Sequence, residues 1–297
     1  MRLSVLLSAI FAISTIQSIR GQGYNNLREL PNHLVKVFYS SGHEQRALTI
    51  ANRVDKVLSY YGRILGFQPK VSLLILSATD WSIYTSKGAV YGMPHFNDKN
   101  ILIVAAEDNA FWRSFLPPSD QIAPGLREQI SSVYKSSDSG LSMQPFFDLL
   151  AVHELGHAFH LQGSLTMQRK WMSELFVNVL LHAYIAEKEP ESLPALTLFP
   201  QMVVGGGSQE YKYTGLQDIE DRYNEIARNY PQNYGWYQCR WHMAAADIYK
   251  AAGWQVCKKL WDALKNKKEK LTDAELINYL DAEADKSVAD VIKNWDR

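Results

Sequence analysis

Three short runs of apolar and β-branched residues, at 33–40, 71–77 and 100–106, are bounded by turn residues, and each predicts a strand. Between the first two, Ala47, Ile50, Ala51, Val54, Val57, Leu58 and Tyr61 recur at helical spacing, and Gly66 stops the helix predicted over 43–65. A strand–helix–strand–strand order predicts a small mixed sheet with a helix packed on it. The stretch 107–144, with Pro117-Pro118 and the polar run 136–140, predicts irregular chain. From Gln144 the period changes. Helices are predicted at 146–162, 170–186, 215–229, 235–252, 254–266 and 272–294, the last opening on a Thr272…Glu275 capping box. The segment 190–214, with its prolines and Gly205-Gly206-Gly207, reads as a long surface loop or lid. The expected class is α+β: a mixed-sheet N-terminal lobe with a packed helix over 22–145, then a mainly helical lobe over 146–297.

Composition narrows the function classes. Of 297 residues, 46% are apolar and 21% charged, which excludes wholesale disorder and fibrous repeats. Basic and acidic residues both number 31, so there is no bulk charge to attract nucleic acid or an anionic membrane. Two cysteines are too few for a disulfide scaffold or a Cys₄ metal site. Cys239 and Cys257, expected on neighbouring antiparallel helices ~20 Å apart, are read as two buried thiols. The N-terminus has a cationic start, an apolar run from Leu3 to Ile13 and small polar residues to Gly21. That is the pattern of a signal peptide over 1–21, and it predicts a secreted or periplasmic chain with no membrane span after cleavage.

The chemistry concentrates at His153-Glu154-Leu155-Gly156-His157, inside an apolar helical segment. Residues four apart on a helix are separated by only about 40° around the axis, so His153 and His157 can aim at one metal ion. Glu154 lies to the side, where it reaches a water rather than the metal, as a general base does. Zinc suits two imidazoles and a carboxylate with a fourth position open. The third ligand is sought on a following antiparallel helix. Glu174 is the single acidic residue between His157 and Ile185, with His160 and His182 as substitutes. Asn178 falls one turn after Glu174, placed to hydrogen-bond a ligand histidine.

His153-Glu-Leu-Gly-His157 with Trp171-Met-Ser-Glu174 resembles the gluzincin zinc metallopeptidases, the thermolysin-like and aminopeptidase-like group. The resemblance is strong over 146–180. It implies a zincin-like catalytic domain that hydrolyses peptide or protein substrates, with Zn²⁺ held by His153, His157 and Glu174. It further implies a sheet edge that binds the substrate backbone, for which Ala89–Phe96, with Gly92 and Met93, is similar. A tyrosine or histidine from a later helix then stabilises the oxyanion. Tyr237 is the first choice, Tyr234 the second and His242 the third. The alternative reading is a binding or assembly protein that kept the fold without hydrolysis. Neither the bond cleaved nor endo- versus exopeptidase action is legible.

Overall fold

The structure, a computed structural model, describes residues 23–116, 124–136 and 140–296. The leader expected over 1–21 lies outside them. A five-stranded sheet opens the chain in the order β1-β2-β3-β5-β4. Its strands are β1 (Leu27–Leu30), β2 (Lys36–Ser40), β3 (Ser72–Leu76), β4 (His95–Phe96) and β5 (Ile101–Ala105). The three predicted strands are the parallel centre: Lys36 pairs with Ser72, and Ser72 with Ile101. Helix α1 (Glu44–Leu65) crosses between the first two, and Gly66 closes it in the left-handed conformation at φ 65°. Central strands covered on both faces need continuous apolar runs, and β3 and β5 have them. The edges β1 and β4 pair antiparallel and are too short to show a period.

β2 starts three residues later than the pattern predicts. His33 Nδ1 and the Leu34 amide turn out of the sheet to Asp55 on α1, at 2.7 and 3.0 Å. Within 107–144, expected to be irregular, lie α3 (Ala110–Arg113) and α4 (Pro124–Val133); α2 (Ala78–Tyr84) follows β3. The rest is helical: α5 (Gln144–Gln162), α6 (Met172–Lys188), α7 (Leu193–Gly205), α8 (Leu216–Asn229), α9 (Pro231–Ala252), α10 (Val256–Asn266), α11 (Asp273–Glu283) and α12 (Lys286–Asn294). The class is therefore mixed α and β, with the sheet at the N-terminal side. Among the described residues no helix is long and apolar enough to cross a membrane. Cys239 and Cys257 are free and buried, and burial pushes both thiols up to about 12.

Two helical predictions need correction. The segment 190–214 is not a loop throughout, because α7 occupies half of it. Pro194 falls in the first turn, where no amide hydrogen is needed. Pro200 lies inside the helix, and there the Tyr134 hydroxyl enters the ladder. It donates to the Ala195 carbonyl at 2.9 Å and accepts from the Phe199 amide at 3.2 Å. The helix predicted over 272–294 splits at Ala284–Asp285. Asp285 is extended and caps α12 by accepting from the Ser287 amide at 2.9 Å. The Thr272–Glu275 capping box is present at the start of α11.

The site is positioned by α5 against α6. From Met172 to Ile185 every residue of α6 except Ser173 is buried, so α6 is a core helix. Gly156 lets α5 come close: a Cβ there would meet Val177 Cβ at 2.9 Å. Gly156→Ala therefore destabilises the protein by ~1–3 kcal/mol, since forced overpacking outweighs the better helix propensity of alanine. Thermal unfolding checks this, and an unchanged midpoint refutes the close-packing account.

Candidate metal centre

His153 and His157 project from one face of α5, with ring centroids 5.1 Å apart. His153, Glu154 and His157 each offer a ligand atom, all within 4.8 Å of one another. Glu174 approaches from α6. Its Oε2 lies 3.3 Å from His153 Nε2 and 3.8 Å from His157 Nε2.

The tautomer of His153 follows from its neighbours. The Asn178 amide nitrogen donates to the Glu174 carbonyl at 3.0 Å, so its Oδ1 faces His153 Nδ1 at 3.2 Å. An amide oxygen only accepts, so Nδ1 carries the hydrogen and neutral His153 presents a bare Nε2 lone pair. That lone pair points at a carboxylate oxygen. Two electron-rich atoms at this distance repel unless a positive charge lies between them. A proton or a metal cation satisfies the arrangement, and the donor set fits a cation that takes nitrogen and oxygen ligands.

The two carboxylates are driven apart in acidity. Burial pushes Glu154 up to about 7, outweighing the pull of the His153 charge. Its Oε2 accepts from the Phe96 amide of β4 at 3.0 Å. Burial also works to raise Glu174, but the His153 hydrogen bond and the two imidazole charges win and hold it well below the usual carboxylate range. Two further donors hold Glu174: Tyr223 Oη to Oε1 at 2.8 Å and Gln238 Nε2 to Oε2 at 3.0 Å. Gln238 Nε2 also donates to Tyr234 Oη at 2.8 Å, and Tyr234 Oη lies 2.9 Å from Tyr223 Oη. Tyr223 has one hydroxyl hydrogen and gives it to Glu174, so Tyr234 donates to Tyr223 and the ring of hydrogen bonds closes. A permanently anionic carboxylate suits a ligand, and one poised near neutral pH suits a base. Both carboxylates stand close to the imidazoles, Glu154 within 4.8 Å of both and Glu174 at 3.3 and 3.8 Å.

The remaining expected residues fall as follows. Tyr237 is not at the site. Its hydroxyl donates to the Gly215 carbonyl at 2.8 Å, and its ring stacks on Trp295 at 6.1 Å and Trp241 at 5.8 Å. The reason is helical phase: Tyr234, Gln238 and His242 share one face of α9, and Tyr237 and Trp241 share another. His242 packs between Phe146 at 5.6 Å and His153 at 6.3 Å. His160 sits one turn beyond His157, ring to ring 6.1 Å, and His182 lies against Tyr249 at 5.4 Å, away from the ligands. Gly92 is in a turn at φ 101°, and its carbonyl accepts from Trp112 Nε1 at 2.6 Å, so it offers no free edge. Met93 is exposed just before β4, and its carbonyl accepts from His95 Nδ1 at 3.1 Å. Sequence reasoning missed Tyr223 and Gln238. Gln238 had a signal, its one-turn spacing from Tyr234. Tyr223 had none, since it follows a break in α8 at Arg222 (φ −119°, ψ 21°).

Burial lowers His157 and His182 to about 4 and His242 to about 3, from an ordinary 6.5. The unfolded chain therefore binds more protons than the native one as pH falls from 6.5 toward 4, so stability drops across that window. Glu174 has the same sign; Glu154, raised, and His153, raised by the Glu174 hydrogen bond despite burial, oppose it. With more depressed groups than raised ones, chelator-treated protein melts at lower temperature at pH 4.5 than at pH 6.5. A flat or rising melting temperature on acidification refutes this balance.

A scan against protein-family models and a search of curated proteins return no match for this chain, so the residues and their geometry carry the functional reading.

Proposed function

We propose that this chain is an exported zinc-dependent metallopeptidase with a zincin-like catalytic domain, His153, His157 and Glu174 as ligands and Glu154 as general base. The observation that carries the reading is one Glu174 oxygen facing the Nε2 atoms of two histidines a helical turn apart. Support comes also from the open side of the centre: the His157 side chain keeps 17% exposure against 6% for His153 and Glu174, so one edge is left for water and substrate. The antiparallel edge strand β4 borders that centre through the Phe96–Glu154 hydrogen bond, where an extended peptide backbone can align.

When bound, zinc acidifies water and polarises a carbonyl. Glu154 removes a proton from the attacking water and returns it to the departing amine. Its buried setting keeps its basicity matched to that task near neutral pH. Tyr234 or Tyr223 donates to the oxygen on which negative charge develops by turning its one hydroxyl hydrogen away from its resting partner, Tyr223 for Tyr234 and Glu174 for Tyr223. Burial, with the Glu174 charge behind it, raises both far above the usual phenol range. Tyr234→Phe then lowers kcat by ~10²–10³-fold. Tyr237→Phe costs stability through the lost Gly215 bond, with little change in kcat. Equal kcat losses in the two variants would return the role to Tyr237.

Metal content of the purified protein, with hydrolysis of a mixed peptide pool before and after chelation and after zinc is restored, tests the whole reading. One equivalent of zinc and chelator-sensitive cleavage are expected. Absence of zinc refutes the metal centre, and zinc without cleavage favours the non-hydrolytic alternative.

A further inference from the structure

An open surface hollow of about 370 Å³ adjoins the candidate centre, lined by His160, Met167, Lys170, Ser173, Tyr223 and Asn224. Tyr223 is shared with the centre through its bond to Glu174, and His160 is one helical turn from His157. Among the described residues that wall it there is no carboxylate, and Lys170 alone carries a fixed charge. The Lys170 ammonium donates to the Glu220 carbonyl at 2.6 Å, a neutral acceptor, which leaves two protons uncommitted. The Glu220 carboxylate is engaged by the Lys170 backbone amide, also at 2.6 Å. The Ser173 hydroxyl is committed to the Lys170 carbonyl, and His160 Nδ1 is buried without a hydrogen-bond partner. The hollow thus combines an ammonium and the Asn224 amide with the apolar walls of Met167 and the Tyr223 ring. None of its six lining residues is a carboxylate, although Glu220, Asp221 and Glu225 stand beside Lys170 on the outer side, so the one ammonium favours a ligand end that brings negative charge.

We propose that this hollow is a carboxylate-binding subsite, so that the protein favours peptides with a carboxylate close to the scissile bond. The proposal rests on the peptidase reading. Two sources present the same chemistry: an acidic side chain, as in an endopeptidase substrate, or a free peptide C-terminus, as in a carboxypeptidase substrate.

The test uses one parent peptide in four forms, with glutamate or glutamine beside the cleavage position and with a free or amidated C-terminus. The carboxylate form is expected to lead its neutral partner by about tenfold in kcat/KM, the worth of one charge-assisted hydrogen bond. Lys170→Met brings that ratio toward one, and Lys170→Arg restores it. A preference that follows the side chain assigns endopeptidase action, and one that follows the terminus assigns carboxypeptidase action. Equal rates for both pairs in the wild-type protein, or a ratio that survives Lys170→Met, overturns the subsite. Failure of every peptide to be cleaved refutes the peptidase reading instead. The subsite is then judged by fluorescence anisotropy with fluorescein-labelled glutamate and glutamine peptides on wild-type and Lys170→Met protein. Tighter, Lys170-dependent binding of the glutamate peptide upholds it, and equal affinities overturn it.

Discussion

If the proposed metallopeptidase reading holds, Glu154→Gln lowers peptide hydrolysis by ~10²–10⁴-fold in kcat and leaves zinc binding intact. The substitution preserves shape and removes only the ability to take a proton. The proposed ligand atoms, His153 Nε2, His157 Nε2 and Glu174 Oε2, are untouched by it. The remaining side-chain oxygen can still accept from the Phe96 amide, so β4 stays anchored to α5. Zinc content, melting temperature and kcat on one preparation separate the outcomes. Loss of zinc along with activity would mean that Glu154 is a ligand, a role its proximity to both imidazoles makes a real competitor. Activity within a few-fold of wild type would remove it from the chemistry altogether.

On the same proposal Glu174→Ala and Glu174→Gln both weaken zinc binding by at least about a hundredfold, since a direct ligand counts for more than the supporting groups around it. The two variants differ in fold. Alanine leaves Tyr223 and Gln238 facing a vacated space, with the hydroxyl of one and one amide hydrogen of the other unsatisfied in a half-buried setting, and costs ~1–3 kcal/mol of stability. Glutamine keeps the volume and one acceptor oxygen, so its far-ultraviolet circular dichroism stays native while the metal is lost. Chelator competition measures the affinity. Wild-type zinc affinity in folded Glu174→Gln protein would show that the carboxylate only braces the histidines.

Much of this centre was readable before any coordinates. The His153/His157 spacing makes a shared ligand direction unavoidable once the segment is helical, and Glu174 is the single acidic residue between His157 and Ile185. Asn178 followed one turn later, and it does reach His153. The choice among later tyrosines was beyond reach for a physical reason. Helix α9 is aromatic on two faces, and which face meets α6 depends on Trp295, far along the chain, taking Tyr237 and Trp241 as its packing partners. Prolines misled at α7 because the repair comes from Tyr134, 61 residues before the carbonyl it satisfies.

Local periodicity and spacing were enough for the central strands, most helices and the three motif residues, because those depend on contacts within a turn or on the burial of continuous apolar runs. The support of Glu174 by Tyr223, 49 residues away, the phase that turns Tyr237 to Trp241 and Trp295 and the anchoring of Glu154 to an edge strand became visible in three dimensions alone. Each depends on a partner that the chain brings near by packing helices and sheet together, and no short-range pattern encodes which distant side chain arrives.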